Sequence, residues 1–345
     1  MKRVTKKVTK KFTRTFTGKL RFAMFERSSR MGRLGLAALL ASALSGVLAC
    51  SPGSQKNVLP KETDSAPQAE VKESEKASLP VSDQEFVDGV RFASLEKIKD
   101  MMERGANPNA KASAGDSALF AALGRGDLAI VEALVAHPKI DLNTTSLGDM
   151  TPLIWAARFN KPEVVKLLVV RPEVKVNAAD SFGMTAVYLA ARFGHSEVVK
   201  ILAGHSELDL NARDGFGMTP MAWAVSQGHL EVVKVLLEQP SVELNGGQEG
   251  GIPMLMRAAD LGKAELVELM VAQPRVNINV RDDFGRTILM RAAFGGQIGV
   301  VQALLARPDV DVLAQDLQGR TALMWANYGG RLDIVNLLKQ RGVNY

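Results

Sequence analysis

Cysteine is almost missing from this chain: Cys50 stands alone in 345 residues, so no disulfide can form within it. Acidic residues are almost missing from its beginning. Residues 1–33 carry twelve Lys/Arg against Glu26 alone, whereas the remainder holds 31 basic and 36 acidic residues. The formal charge of +6 and the basic pI therefore belong to the N-terminus, and they argue for no nucleic-acid partner of the rest. A long apolar run is lacking too. The uncharged stretch from Leu34 to Cys50 is shorter than the ~20 apolar residues of a membrane-spanning helix. Catalytic and metal-binding sets are equally scarce. There is no recognisable Ser-His-acid arrangement. The glycine-rich Gly246-Gly247-Gln248-Glu249-Gly250-Gly251 lacks the Lys-Ser/Thr of a phosphate loop, and Glu249 has the wrong sign for one.

What is abundant is periodicity. Ser117, Thr151, Thr185, Thr219, Pro253, Thr287 and Thr321 recur every 34 residues. Five positions after each stands an alanine: Ala122, Ala156, Ala190, Ala224, Ala258, Ala292 and Ala326. A period of this size predicts a solenoid, in which each unit touches only its neighbours. Within a unit, a short apolar segment ends at Gly126, Asn160, Gly194, Gly228, Gly262, Gly296 or Gly330, and a V-V-x-L-L stripe follows at helical spacing. Gly and Asn tolerate a left-handed backbone, so the pattern predicts two antiparallel helices joined by a tight turn. The alanine lets them approach closely; a larger side chain there would overpack by roughly 1–3 kcal/mol. The second helix is expected to stop at Pro138, Pro172, Pro240, Pro274 and Pro308, with Ser206 the exception. Period-two segments such as Val174–Asn177 and Val276–Asn279 read as short half-buried strands. Asp180, Asp214, Asp282 and Asp316, each with a glycine three residues later, read as hairpin turns.

Helix, turn, helix and hairpin, with T-P-L-x-x-A opening the first helix, resembles the ankyrin repeat. Residues 151–156 (TPLIWA) and 219–224 (TPMAWA) match best, and the resemblance covers about 105–345. The family's histidine in TPLH is absent. Its place is taken by Phe120, Ile154, Tyr188, Ala222, Met256, Met290 and Met324, so its hydrogen bond is expected to give way to apolar packing. The implied fold is an all-α ankyrin-repeat solenoid, with a helix-turn-helix and a short β-hairpin per 34-residue repeat.

The chain divides into a targeting segment (1–49, or starting from Met31), a disordered linker (50–81) rich in Ser, Pro, Glu and Lys, and a repeat domain (82–345). The first segment has the layout of a secretory signal. Val47-Leu48-Ala49-Cys50 resembles the lipobox of bacterial lipoproteins, which implies a lipidated Cys50, and Ser51 then resembles their outer-membrane signal. The bland alternative is an idle thiol in an unprocessed leader. The basic, Thr-rich residues 1–22 leave an organelle-type presequence as a rival. Ser82-Asp83-Gln84-Glu85 is a capping box opening an N-terminal cap over 82–108.

An unbroken period leaves no inserted loop to gather catalytic groups, so the expectation is a non-enzymatic, monomeric, cofactor-free scaffold that binds protein partners from the cell envelope. Recognition in ankyrin stacks uses the end of the first helix and the hairpin tips. That implies Arg158, Phe159, Arg192, Phe193, Phe294 and Tyr328 before the turns, and Phe182, Phe216 and Phe284 at the tips, Arg and aromatics being enriched in binding hot spots. Trp155, Trp223 and Trp325 share one phase with Arg257 and Arg291; the tryptophans either join this surface or pack between helices. The arginines Arg158, Arg192, Arg257 and Arg291 also admit an anionic or polysaccharide ligand. His195 and His229, at one phase, are expected to be structural, since units roughly 8–10 Å apart are too distant to share a zinc ion bound at about 2.0–2.1 Å.

Overall fold

The computed structural model describes residues 80–345, apart from 114, 147, 246–252 and 343–345. The leader, Cys50, the linker to residue 79 and Gly246–Gly251 lie outside the described residues. The described residues form sixteen helices in pairs: α1 Asp83–Phe92 and α2 Leu95–Glu103, α3 Ala118–Arg125 and α4 Leu128–Val135, α5 Pro152–Arg158 and α6 Pro162–Val169, α7 Ala186–Phe193 and α8 Ser196–Ala203, α9 Pro220–Gln227 and α10 Leu230–Leu237, α11 Met254–Asp260 and α12 Ala264–Val271, α13 Ile288–Gly295 and α14 Ile298–Leu305, α15 Ala322–Tyr328 and α16 Leu332–Gln340. Each helix packs on its own partner and on the like helix of the next repeat. This is a solenoid, as the period predicts. None of these helices is long and apolar enough to cross a membrane.

The phase markers are helix caps. Ser117, Thr151, Thr185, Thr219, Thr287 and Thr321 each accept a hydrogen bond from the backbone N–H three residues on, which satisfies an otherwise orphaned donor. Ser82 does the same for Glu85. Pro253 has no side chain to do so, and α11 starts without a side-chain cap. All seven phased alanines are completely buried. In the stripe of α8, Val198, Val199 and Leu202 are buried while Ile201 is half-buried. The turns between paired helices are left-handed as expected, including Asn160 at φ 52°.

Two details differ from the sequence expectation. The Val174–Asn177 and Val276–Asn279 segments are consecutive turns, not strands, closed by Val174 N–H to Arg171 O and Ala178 N–H to Lys175 O in the first case. Alternate burial survives, with Val174 and Val176 inside, but the hairpins that follow hold only single bridges such as Ala179 to Thr185. A few residues must turn the chain through the thickness of a repeat, which leaves no length for a ladder. Proline, moreover, does not set the helix stop. α8 ends at Ala203, three residues before Ser206, just as α4 ends at Val135, three before Pro138. The stop is a feature of the stacked register, in which the next buried residues, Ile140 or Leu210, must return beneath the neighbouring repeat.

An asparagine ladder, legible in the sequence only as an Asn recurring every 34 residues, ties these turns together. The Asn177 side chain donates to Glu207 O at 2.7 Å and accepts from Asp209 N–H at 2.8 Å. Asn109, Asn143, Asn211, Asn245 and Asn279 do the same to the repeat ahead. Leu313 stands at the next position of this phase.

Candidate functional site

The hairpin aspartates organise the surface around them. Asp214 Oδ1 accepts the N–H groups of Phe216 and Met218 at 2.8 and 2.9 Å, closing the turn. Its Oδ2 accepts from the Trp223 indole at 3.2 Å and from the Tyr188 hydroxyl of the preceding repeat. Tyr188 thus restores a hydrogen bond where apolar packing alone was expected. The Tyr188 phenol is pushed above its ordinary range by burial and by its bond to Asp214. The same lock recurs nine residues apart in sequence: Arg291 to Asp282 at 2.9 Å and Trp325 to Asp316 at 3.1 Å. Asp180 lacks it, because Leu189 occupies the donor's position.

The tryptophan row therefore has mixed placement. Trp223 is buried on Tyr188, with the rings 6.1 Å apart. Trp155 and Trp325 are half-buried and meet exposed rings, Trp155 tilted against Phe159 at 4.8 Å, Trp325 edge-to-face with Phe294 at 5.4 Å and with Tyr328 at 6.2 Å. Of the arginines in the row, Arg257 is exposed, whereas Arg291 is bonded to both Asp260 and Asp282. The tips Phe182, Phe216 and Phe284 are all exposed, and the Phe182 and Phe284 carbonyls accept from Gly215 and Leu317 in the next repeat.

Between the turns, side chains and rings form two alternating stacks. One runs Phe159, Arg158, Phe193, Arg192, Trp223, each guanidinium 4.5–5.8 Å from the ring beside it. Phe159 and Phe193 are 48% and 41% exposed, so the stack lies at the surface. The other runs Phe284, Arg286, Trp325, Arg320 at 4.2–5.9 Å. Contacts of this kind contribute roughly 0.5–1 kcal/mol when exposed and more when desolvated. A recess of about 290 Å³ beside the second stack is lined by Asp260, Arg286, Met290, Arg291, Phe294, Gln297 and Trp325.

Electrostatics separates the two stacks. Burial raises the Asp282 and Asp316 carboxyls, but backbone N–H groups and guanidinium partners outweigh it and hold both below the usual range. In the first stack burial wins. It pushes Asp180 up against the Met184 and Phe182 N–H groups, and pulls Arg158 down against the attraction of Asp180. Both histidines at the turn phase bond across to the backbone of the preceding repeat, His195 Nε2 to Arg158 O at 3.1 Å and His229 Nε2 to Arg192 O at 3.0 Å. Burial lowers the His195 pKa, opposed by that bond.

The family model for ankyrin repeats matches residues 89–180, 170–246 and 255–345. No curated protein matches the chain. Among solved structures, the crystal structure of the ankyrin repeat domain of Bcl-3, a unique member of the IkappaB protein family, is similar at 28% identity and TM-score 0.58, covering 64% of this chain and 99% of that one. EF0377, an ankyrin repeat protein, is similar at 28% identity and TM-score 0.51, covering 57% and 99%. With family matches across well over half of its length and a stack of helix pairs in register, the chain belongs to the ankyrin-repeat family.

Proposed function

We propose that the chain is a lipid-tethered interaction scaffold of the bacterial cell envelope, with its repeat domain in the periplasm and its Arg/aromatic row as the docking face. Ankyrin repeats generally mediate protein–protein interaction, and proteins built from them are typically non-enzymatic. The observation that carries the docking face is the exposure of Phe159, Phe193, Phe294 and Tyr328 at the two adjacent positions that end the first helix of four repeats. Half-exposed rings held by guanidinium neighbours offer area at low entropic cost, as binding hot spots do. The tether rests on the Val47–Cys50 sequence and the basic leader before it.

Cross-linking in the producing cell tests the face. Wild type should recover a defined partner that Arg158→Ala/Arg192→Ala/Phe216→Ala recovers at well under half the yield; equal recovery removes this surface. Metabolic labelling with palmitate tests the tether, since Cys50→Ala should lose the label and leave the membrane fraction.

A further inference from the structure

We propose that Arg158 is the anchor for a carboxylate on an acidic, extended segment of a protein partner, an inference that rests on the scaffold reading above. The half-buried guanidiniums of the second stack and its neighbour Arg291 are already neutralised: Arg286 by Asp282 at 2.8 Å, Arg320 by Asp316 at 2.8 Å, and Arg291 by Asp260 and Asp282. Arg158 is not. Among the described residues Asp180 attracts it without closing an ion pair, and no acceptor is bonded to its N–H groups. It is half-buried nonetheless, between Phe159 and Phe193 at 5.7 and 5.8 Å. A guanidinium partly removed from water and bonded to no protein acceptor lacks the stabilisation that a bidentate carboxylate supplies. Arg192, next along the stack, adds a second positive charge that repels it.

The surroundings choose among anions. Along the same row the residues after Arg158-Phe159 and Arg192-Phe193 are Ser226-Gln227 and Asp260-Leu261. The row therefore offers no further guanidinium for the next two repeats, and Asp260 is itself paired with Arg291. A nucleic acid or a sulfated polysaccharide laid along it would find no continued positive charge, whereas a short segment carrying one or two carboxylates needs none. An apolar residue flanking the carboxylate would lie on Phe159 or Phe193, both exposed.

Selection of displayed random octapeptides on the full-length chain is the test. Peptides recovered by wild type should be enriched in Asp or Glu beside an apolar residue. Arg158→Gln, and Arg158→Lys, which keeps the charge but loses the fork, should bind them roughly tenfold more weakly, while Arg320→Lys should bind them as wild type does. Thermal melting of each variant separates lost binding from lost folding. Neutral or basic winners, or winners indifferent to both Arg158 variants, overturn the anchor and leave the scaffold standing. Recovery of no peptide at all overturns both.

Discussion

The two guanidinium–aromatic stacks are built from the same residue types, yet they have opposite electrostatic character. In the stack around Trp325 every arginine ends on a hairpin aspartate, and the carboxylates are held below their ordinary range. In the stack around Phe193 the aspartate at the equivalent phase, Asp180, has lost its lock to Leu189, and burial moves both it and Arg158 toward their neutral forms. Where an internal partner is present, a half-buried charge stabilises the repeat. Where it is missing, the same residue is left able to bind something else. A periodic scaffold makes the aspartates directly comparable, since Asp180, Asp282 and Asp316 stand at one phase of the repeat.

That comparison predicts a graded series. Asp282→Ala leaves Arg286 and Arg291 without their shared carboxylate, and unfolding by urea should show a loss of about 3 kcal/mol, typical of breaking a buried pair. Asn177→Ala and Asn279→Ala each remove two inter-repeat hydrogen bonds, so both should cost about 1–2 kcal/mol. Unequal costs would mean that the stacks differ in more than charge. Trp325→Phe removes the indole bond to Asp316 and should cost about 1 kcal/mol. Arg158→Gln loses the contacts with Phe159 and Phe193 but also relieves a half-buried, unpaired charge, so stability should change by less than about 0.5 kcal/mol.

The last prediction concerns pH. The depressed Asp316 makes a contribution that is present above the unfolded carboxylate pKa of about 3.9 and lost as pH falls through its lower folded value. The raised Asp180 has the reverse sign: its charged form costs stability near neutrality, and protonation relieves that cost as pH falls. Asp180→Asn should therefore stabilise the protein near neutral pH and make no difference in acid. Asp316→Asn should destabilise it near neutral pH, with the difference vanishing only in stronger acid. Denaturation across the acid range reads both, and two curves of the same sign would erase the distinction between the stacks.

Much of the fold was legible because it is local chemistry repeated. Threonine caps, left-handed glycines and buried alanines act within one unit, and seven copies make the pattern unmistakable. The strands were misread because period-two burial also arises when successive turns bury alternate side chains. Proline was overrated because the end of the helix is set by the neighbouring repeat, as Ser206 shows. The asparagine ladder was available as a recurrence, but its bonds span 30 and 32 residues, a separation no local rule addresses. At the candidate surface the residue types are legible in the sequence, but their partners are not. Arg158 and Arg291 look alike in the chain, and only the fold brings Asp260 and Asp282 into ion pairs with the second and leaves the first without one.

The repeat, its helical phase, its turns and the family can be read from the chain alone, because each depends on residues within one unit. Which charges are paired and which stay available emerges only in the folded stack, because hydrogen bonding and desolvation depend on what the next repeat places alongside.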